Sequence, residues 1–280
     1  MRFKVNSFLS YEVFSTTTFI FNIQVVNSPT QVIISESLTI TPEIKYEEFV
    51  LQNSATRFIK MEVVKGINFS LTYEAEVDVL HQVIAAEKML QSVPIIDLDN
   101  EVLPFISPSR YCESDKLLDF AHQQFGYLPN EFNKVKAINE WVFSTIAYKA
   151  GTSDSSRSAC DVLALKEGVC KDFAHLAIAL CRALDIPARY FTGYAYALNP
   201  PDLHACFEAY VGGKWLFFDP TKLSVSNGLV KIANGKDASE VAVASFFGEV
   251  NCTFMKIECH PVLTDFIPFD KEENTAVSYG

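Results

Sequence analysis

The chain has 280 residues, enough for one large domain or two ordinary ones. Hydrophobic residues make up 49% of it and charged residues 20%, a balance typical of a folded globular protein. The net charge of −11 argues against nucleic acid or an anionic membrane as the main partner, because both require clustered lysine and arginine.

The sequence also lacks the marks of a membrane or secreted protein. No stretch approaches the roughly 20 apolar residues that a membrane-spanning helix needs. Residues 1–6 are not followed by the apolar core and cleavage site of a signal peptide. Seven cysteines, an odd number in a long chain, do not resemble a disulfide framework. We therefore expect free thiols and a cytoplasmic location, with most cysteines buried as small hydrophobic residues.

The first hundred residues are rich in β-branched and aromatic side chains, interrupted by short turn signals. The expected strands cover residues 17–26, 31–41, 49–51, 58–64 and 67–79. Many short strands with regular turns are typical of an antiparallel sandwich. We predict an all-β amino-terminal domain over residues 1–105, with no cluster of catalytic residue types.

Helical periodicity begins after this region, and we predict an α+β domain over residues 106–280. The first expected helix covers residues 115–124, and the second follows Asn130, a good N-cap residue. Side chains that should share the buried face of the second helix are Val135, Ile138, Val142 and Ile146. A third helix should span residues 169–184, and further strands are expected at residues 189–198, 204–211 and 214–218.

Cys170 opens the third predicted helix. A thiol at a helix N-terminus faces unpaired backbone N–H groups and the positive end of the helix dipole, and both favour the nucleophilic thiolate. The same N–H groups can stabilise an oxyanion, and Gly168 permits a tight turn into the helix. Taken alone, Cys170 fits better as one more buried cysteine. Cys181, about three turns further on, is expected in the core.

A nucleophilic cysteine needs a base, and His204 has the most informative setting. The runs 204–211 and 214–219 flank Gly212-Gly213 and therefore predict a β-hairpin. If the two glycines form the turn, Cys206 pairs with Asp219, and His204 points to the same face as both. Asp219 could then accept a hydrogen bond from His204 and orient it.

Metal and cofactor chemistry is not expected. The sequence has no Cys-x-x-Cys or His-x-x-x-His spacing, which argues against zinc. Phosphate-binding glycine motifs are absent too, since Gly212-Gly213 is placed in a hairpin. We predict no metal site and no cofactor.

Several segments together resemble the bacterial transglutaminase-like superfamily. They are residues 168–176, residues 182–190, His204-Ala205, Trp215 and residues 218–221. Segments 108–112 and 235–238 look like family segments as well. The resemblance is strong over about residues 105–240 and looser in the amino-terminal part. It implies an α+β fold with a papain-like transglutaminase core, preceded by an all-β sandwich domain.

The resemblance also implies a catalytic triad of Cys170, His204 and Asp219. The expected activity is hydrolysis of an amide bond in a peptide or protein through a thioester on Cys170. Acyl transfer to an amine is the alternative, and a catalytically silent binding scaffold is a second one. The family uses an upstream side chain in its oxyanion hole, for which Tyr148 is the nearest candidate.

One position departs from the family pattern. Cys206 stands where an aromatic residue is common, and the hairpin register directs it to the catalytic side. We hypothesise that Cys206 traps an oxidised Cys170 as a disulfide. The sequence does not predict an oligomeric state.

Overall fold

The computed structural model describes residues 1–51, 55–85, 91–152, 154–263, 266–269 and 275–280. Within these residues the chain forms four α-helices and sixteen strands, and the predicted α+β class is confirmed. The helices are α1 (Leu118–Phe125), α2 (Glu131–Thr145), α3 (Ala159–Leu165) and α4 (Cys170–Arg182). Among the described residues, no helix combines the length and the apolar character required to cross a bilayer.

The strands of the amino-terminal part are β1 (Arg2–Val13), β2 (Thr17–Phe21), β3 (Gln31–Thr41), β4 (Tyr46–Val50), β5 (Arg57–Val63), β6 (Phe69–Val79) and β7 (Gln82–Ala85). Those that follow are β8 (Ala147–Tyr148), β9 (Glu167–Gly168), β10 (Ala188–Ala195), β11 (Leu203–Val211), β12 (Lys214–Phe218), β13 (Leu229–Gly235), β14 (Ala244–Phe247), β15 (Val250–Pro261) and β16 (Thr275–Ser278).

Two four-stranded antiparallel sheets form the β-rich part, in the orders β15-β1-β6-β3 and β14-β2-β5-β4. Buried side chains alternate with more exposed ones along β1 and β6, as expected for strands with one face in a core. Aromatic rings join the two sheets, because Phe19 of β2 lies 5.5 Å from Tyr11 and 5.0 Å from Phe69 between ring centroids.

The strand β1 was not predicted from the sequence. Its apolar pattern is interrupted in the middle, because polar Ser7 occupies a buried position and Phe8 lies on the more exposed face. The predicted strand 17–26 is shorter than expected. The chain leaves the sheet after Phe21, and the N–H groups of Asn22 and Val26 bond to the carbonyls of Val243 and Lys231 instead.

Strand pairing crosses the predicted boundary at residue 105 in both directions. From the carboxyl-terminal part, β14 pairs with β2 and β15 with β1, while β7 from the amino-terminal part pairs with β16. The boundary itself stays a prediction. These pairings show that the two parts exchange strands at their edges.

A six-stranded sheet of order β13-β10-β11-β12-β16-β7 supports the helices. Helix α4 packs against β10 and β11, and α2 and α3 pack on α4. Every residue of α4 from Asp172 to Arg182 is buried. The helix that carries Cys170 is therefore held between the sheet and the other helices, and the four predicted core residues of α2 are buried as well.

Candidate active site

Cys170 is the first residue of α4 and is half-buried, whereas most of the helix is fully buried. The preceding residue, Val169, is extended, and its N–H donates to Asp172 Oδ2 at 2.9 Å. A carboxylate in the first turn satisfies an otherwise unpaired N–H and complements the helix dipole. The helix start, and with it the Cys170 thiol, is thereby fixed.

Residue 168 is a glycine because a side chain there would clash with Asp172. A Cβ atom on residue 168 would lie 2.6 Å from Asp172 Cβ and 2.8 Å from Asp172 Oδ2. Gly168 does not have a positive φ, so close approach of the Asp172 side chain, more than backbone freedom, explains the residue.

The predicted β-hairpin has the expected register. Val211 pairs with Lys214 and Phe207 with Phe218, and the turn residues Gly212 and Gly213 have φ of 60° and 79°. The pairing ends one residue before Asp219. One donor atom from each of His204, Cys206 and Asp219 lies within 4.8 Å of the others, so the three side chains share one face.

Asp219 holds His204 by a hydrogen bond of 2.8 Å between its Oδ2 and His204 Nε2. Both residues are buried, with 8% and 1% of their surface exposed. The carboxylate also accepts bonds of 2.7–2.9 Å from the backbone N–H and hydroxyl groups of Thr221 and Ser224. Burial alone would raise the pKa of Asp219, but the charge of His204 and these hydrogen bonds lower it well below its usual range.

The Cys170 thiol also lies beside His204 and contributes to its pKa. Burial alone would lower the pKa of His204, yet the nearby Cys206, the hydrogen-bonded Asp219 and the nearby Cys170 raise it well above its usual value. The Asp219 carboxylate therefore stabilises an imidazolium beside the thiol. The arrangement has the chemical form of a nucleophile, a base and an orienting acid.

Two more side chains surround this group. Cys206 is fully buried, its thiol lies within 4.8 Å of donor atoms of His204 and Asp219, and burial raises the pKa of this thiol to about 12. Tyr148 is 40% exposed, and its hydroxyl lies close to the backbone N–H of Cys170. Burial and the nearby Cys170 raise the pKa of Tyr148.

Sequence reasoning missed the partners of Asp219. Thr221 follows Asp219 by two residues, a spacing at which Thr and Asp side chains commonly bond within a turn. This local signal could have identified Thr221. Ser224 has no comparable signal, because its contact with Asp219 depends on the path of the chain after the turn.

His175 also lies on α4, but its ring contacts residues outside the candidate active site. Its ring stacks between Tyr111 and Tyr190, with centroids 5.0 Å away on each side, and its Nε2 accepts the N–H of Ala238 at 3.1 Å. Burial lowers the pKa of His175 to about 3 and keeps it neutral. The segments 108–112 and 235–238 meet here, because Tyr111 N–H donates to Asp237 Oδ2 at 2.8 Å.

Family sequence models match both parts of the chain. The model of the bacterial transglutaminase N-terminal domain matches residues 1–101, and that of the transglutaminase-like superfamily matches residues 119–220. The second range contains Cys170, His204 and Asp219. A crystal structure from Cytophaga hutchinsonii, described as a "putative cysteine protease", has 48% identity and a TM-score of 0.98, over 100% of this chain and 98% of that one.

Curated relatives from mycobacteria match a smaller part of the chain. An uncharacterized protein of Mycobacterium leprae is 30% identical over 162 residues, which are 55% of this chain and 57% of that protein. One from Mycobacterium tuberculosis is 28% identical over 144 residues, 46% of this chain and 45% of that protein. These matches span about half the length of each curated relative.

Proposed function

Since the chain belongs to the transglutaminase-like superfamily, we propose that it hydrolyses amide bonds of peptides or proteins with Cys170 as nucleophile. His204 is the general acid and base, and Asp219 orients it. The observation that carries the proposal is that one buried imidazole, hydrogen-bonded to Asp219 at 2.8 Å, lies beside the Cys170 thiol.

In the first half of the reaction His204 takes the proton of Cys170, and the thiolate attacks the amide carbonyl. Asp219 occupies His204 Nε2, so Nδ1 is the nitrogen left to exchange protons. The protonated His204 then gives its proton to the leaving amine, and the C–N bond breaks. The acyl group remains on Cys170 as a thioester.

The oxyanion of the tetrahedral intermediate takes its hydrogen bonds from the Cys170 backbone N–H and the Tyr148 hydroxyl. The Tyr148 hydroxyl lies close enough to Cys170 for both the thiol and the backbone N–H of that residue to influence its pKa. A substrate oxygen that enters between them accepts from both. Tyr148→Phe should slow acylation about 100-fold to 1,000-fold, the range known for removal of one oxyanion donor.

In the second half water attacks the thioester, His204 accepts the water proton, and the carboxylic acid leaves as the thiol reforms. We favour water over an amine as acceptor because the family resemblance points to bacterial peptidases. The provisional protease description of the Cytophaga protein supports the same choice.

Acylation of Cys170 tests the proposal directly. The protein is incubated with a library of peptide amides and analysed by intact mass and peptide mapping. We expect an acyl adduct on Cys170 in the wild type and none in Cys170→Ala. Cys252→Ser is the matched control, since Cys252 is exposed and lies on β15. Acylation of another cysteine would contradict the assignment.

The acceptor is tested by adding a primary alkyl amine in excess over enzyme. We expect the free carboxylate as the main product. Incorporation of the amine as the main product would instead establish acyl transfer, and a wild-type protein without any adduct would favour the scaffold alternative.

A further inference from the structure

Strand β15 forms an open edge of the β-rich part. It pairs with β1 on one side, and within the residues that the structure describes no strand pairs with its other side. Residues 251–256 are all exposed, among them Phe254 with 54% and Met255 with 43% of its surface accessible. A long edge strand with exposed apolar side chains and unpaired backbone groups favours the addition of another strand.

The regular part of this edge is short and has a clear midpoint. The register of β15 against β1 shifts beside Thr253, which is left without a partner residue. Pro261 ends the strand and has no N–H group to donate. Residues 254–260 lie between these two interruptions in unbroken register, and Ile257 is the residue in their middle. A strand that pairs with this edge therefore meets a regular segment centred on Ile257.

We propose that the strand added here is β15 of a second copy of the chain, antiparallel and with the twofold axis at Ile257. Residues that lie opposite each other in a continuous sheet point to the same face, so the axis of a symmetric pair passes through a residue. With the axis at Ile257, Lys256 lies opposite Glu258 of the second copy, and the reverse pair forms as well. The four-stranded sheets of the two copies then form one continuous sheet.

Charge favours this axis over its neighbours. Lys256 and Glu258 form an ion pair of 2.9 Å within one strand, and 56% and 35% of their side chains are exposed. An axis at Lys256 would place this lysine opposite its own copy, and an axis at Glu258 would do the same with the glutamate. Like charges directly opposite each other destabilise a sheet. Of these three axes, the one at Ile257 makes two reciprocal pairs of opposite charge.

The same axis also covers the exposed apolar side chains. Phe254, whose ring lies 5.9 Å from that of Phe8 between centroids, comes to lie opposite His260 of the second copy. Met255 comes to lie opposite Cys259 of the second copy, on the face of the sheet that points towards the core. Removal of this surface from water adds hydrophobic stabilisation to the backbone hydrogen bonds of the new strand pair.

The opposite edge of the same sheet lacks this self-complementarity. Strand β3 is also exposed along much of its length, but Glu36 is its single charged residue. The carboxylate of Glu36 already accepts hydrogen bonds from Arg57 at 2.7 Å and from Tyr73 at 2.9 Å. A second β3 strand would offer this carboxylate no cation, whereas β15 carries both members of its ion pair.

Charge exchange at the two positions tests the pairing. The full chain is studied by sedimentation velocity over a range of concentrations, and the wild type should show a monomer–dimer equilibrium. Lys256→Glu and Glu258→Lys each place like charges opposite each other in a homodimer, so each should raise the dissociation constant at least about tenfold. An equal mixture of the two single variants should form a heterodimer about as tightly as the wild type dimerises. One copy then carries two acidic side chains at these positions and the other carries two basic ones.

Lys60→Glu is the matched control for these variants. Lys60 and Glu47 form an exposed ion pair of 2.9 Å between β5 and β4, which belong to the other sheet of the β-rich part. This variant should dimerise as the wild type does. A wild type that stays monomeric up to about 1 mM, single variants that dimerise as tightly as the wild type, or a mixture that stays monomeric would overturn the proposal.

Amide hydrogen exchange on the wild type needs no variant. Exchange at alternate backbone N–H groups of residues 254–260 should slow as the protein concentration rises, because these groups then bond to the second copy. The N–H groups on the outer edge of β3 should exchange at the same rate at every concentration. Exchange along β15 that does not depend on concentration, or protection of β3 instead, would count against the interface. Neither measurement involves catalysis, so the result does not depend on the proposed function.

Discussion

Replacing Asp219 by Asn should impair the reaction at this site far more than it lowers the stability of the protein. The two side chains have nearly the same shape, but Asn carries one NH₂ group where the carboxylate has an oxygen. Oδ1 accepts from the N–H and hydroxyl of Thr221, and Oδ2 accepts from His204 Nε2 and from the N–H and hydroxyl of Ser224. Either amide orientation therefore opposes one backbone donor.

The consequence for stability is limited. One unsatisfied backbone N–H costs about 1–3 kcal/mol, which a domain of ordinary stability survives. The consequence for chemistry is larger. If the NH₂ group replaces Oδ2 it donates to His204 Nε2, the ring proton moves to Nδ1, and that nitrogen no longer accepts the proton of Cys170. If it replaces Oδ1, the imidazolium loses the charge that raised its pKa.

We therefore expect Asp219→Asn to slow acylation of Cys170 about 10³–10⁴-fold, as the wrong tautomer does in serine hydrolases. That factor corresponds to about 4–5.5 kcal/mol. The assay is the rate of Cys170 acylation by a peptide substrate, measured beside thermal unfolding. Ser224→Ala is the matched control, because it removes one hydroxyl donor and keeps the carboxylate, and it should lose less than about tenfold. Asp219→Asn within tenfold of the wild type would refute this reasoning.

The same variant should alter acid unfolding. The pKa of Asp219 is lowered in the folded protein. Its contribution to the free energy of unfolding is therefore complete above the pKa of about 4 in the unfolded chain, and it is lost as the pH falls towards the pKa in the folded protein. Urea unfolding between neutral pH and pH 3 should show a weaker acid dependence in Asp219→Asn. Parallel curves for the two proteins would contradict the linkage.

Three further predictions concern the surroundings of the site. His175 stays neutral with a pKa of about 3, so stability should fall as the pH drops from about 6.5 towards 3, and His175→Gln should flatten that slope in urea unfolding; an unchanged slope would count against it. Gly168→Ala should lower the melting temperature, and less so in an Asp172→Gly background, because all the clashing side-chain atoms, Cβ included, are then gone; equal losses in both backgrounds would exclude the contact. Mild hydrogen peroxide should oxidise Cys170 to a sulfenic acid that Cys206 converts to a disulfide with release of water; peptide mapping that finds no such disulfide would leave Cys206 without this role.

The hairpin shows how far a local pattern can reach. A glycine pair between two apolar runs fixes the turn, and the period of two along a strand fixes which side chains share a face. His204, Cys206 and Asp219 were therefore placed together from the sequence alone. Asn130 was likewise predicted as the N-cap of α2, and its side chain accepts the N–H of Asn133 at 2.9 Å.

Contacts between distant segments were decided only by the tertiary structure. The approach of Cys170 to His204 requires α4 to pack on β11, and the pairing of β1 with β15 joins the two ends of the chain. The sequence by itself determined the parity of the hairpin and the start of the nucleophile helix, because both follow from backbone geometry within a few residues. That Cys170 lies beside these hairpin residues was decided by packing between elements, which no local spacing records.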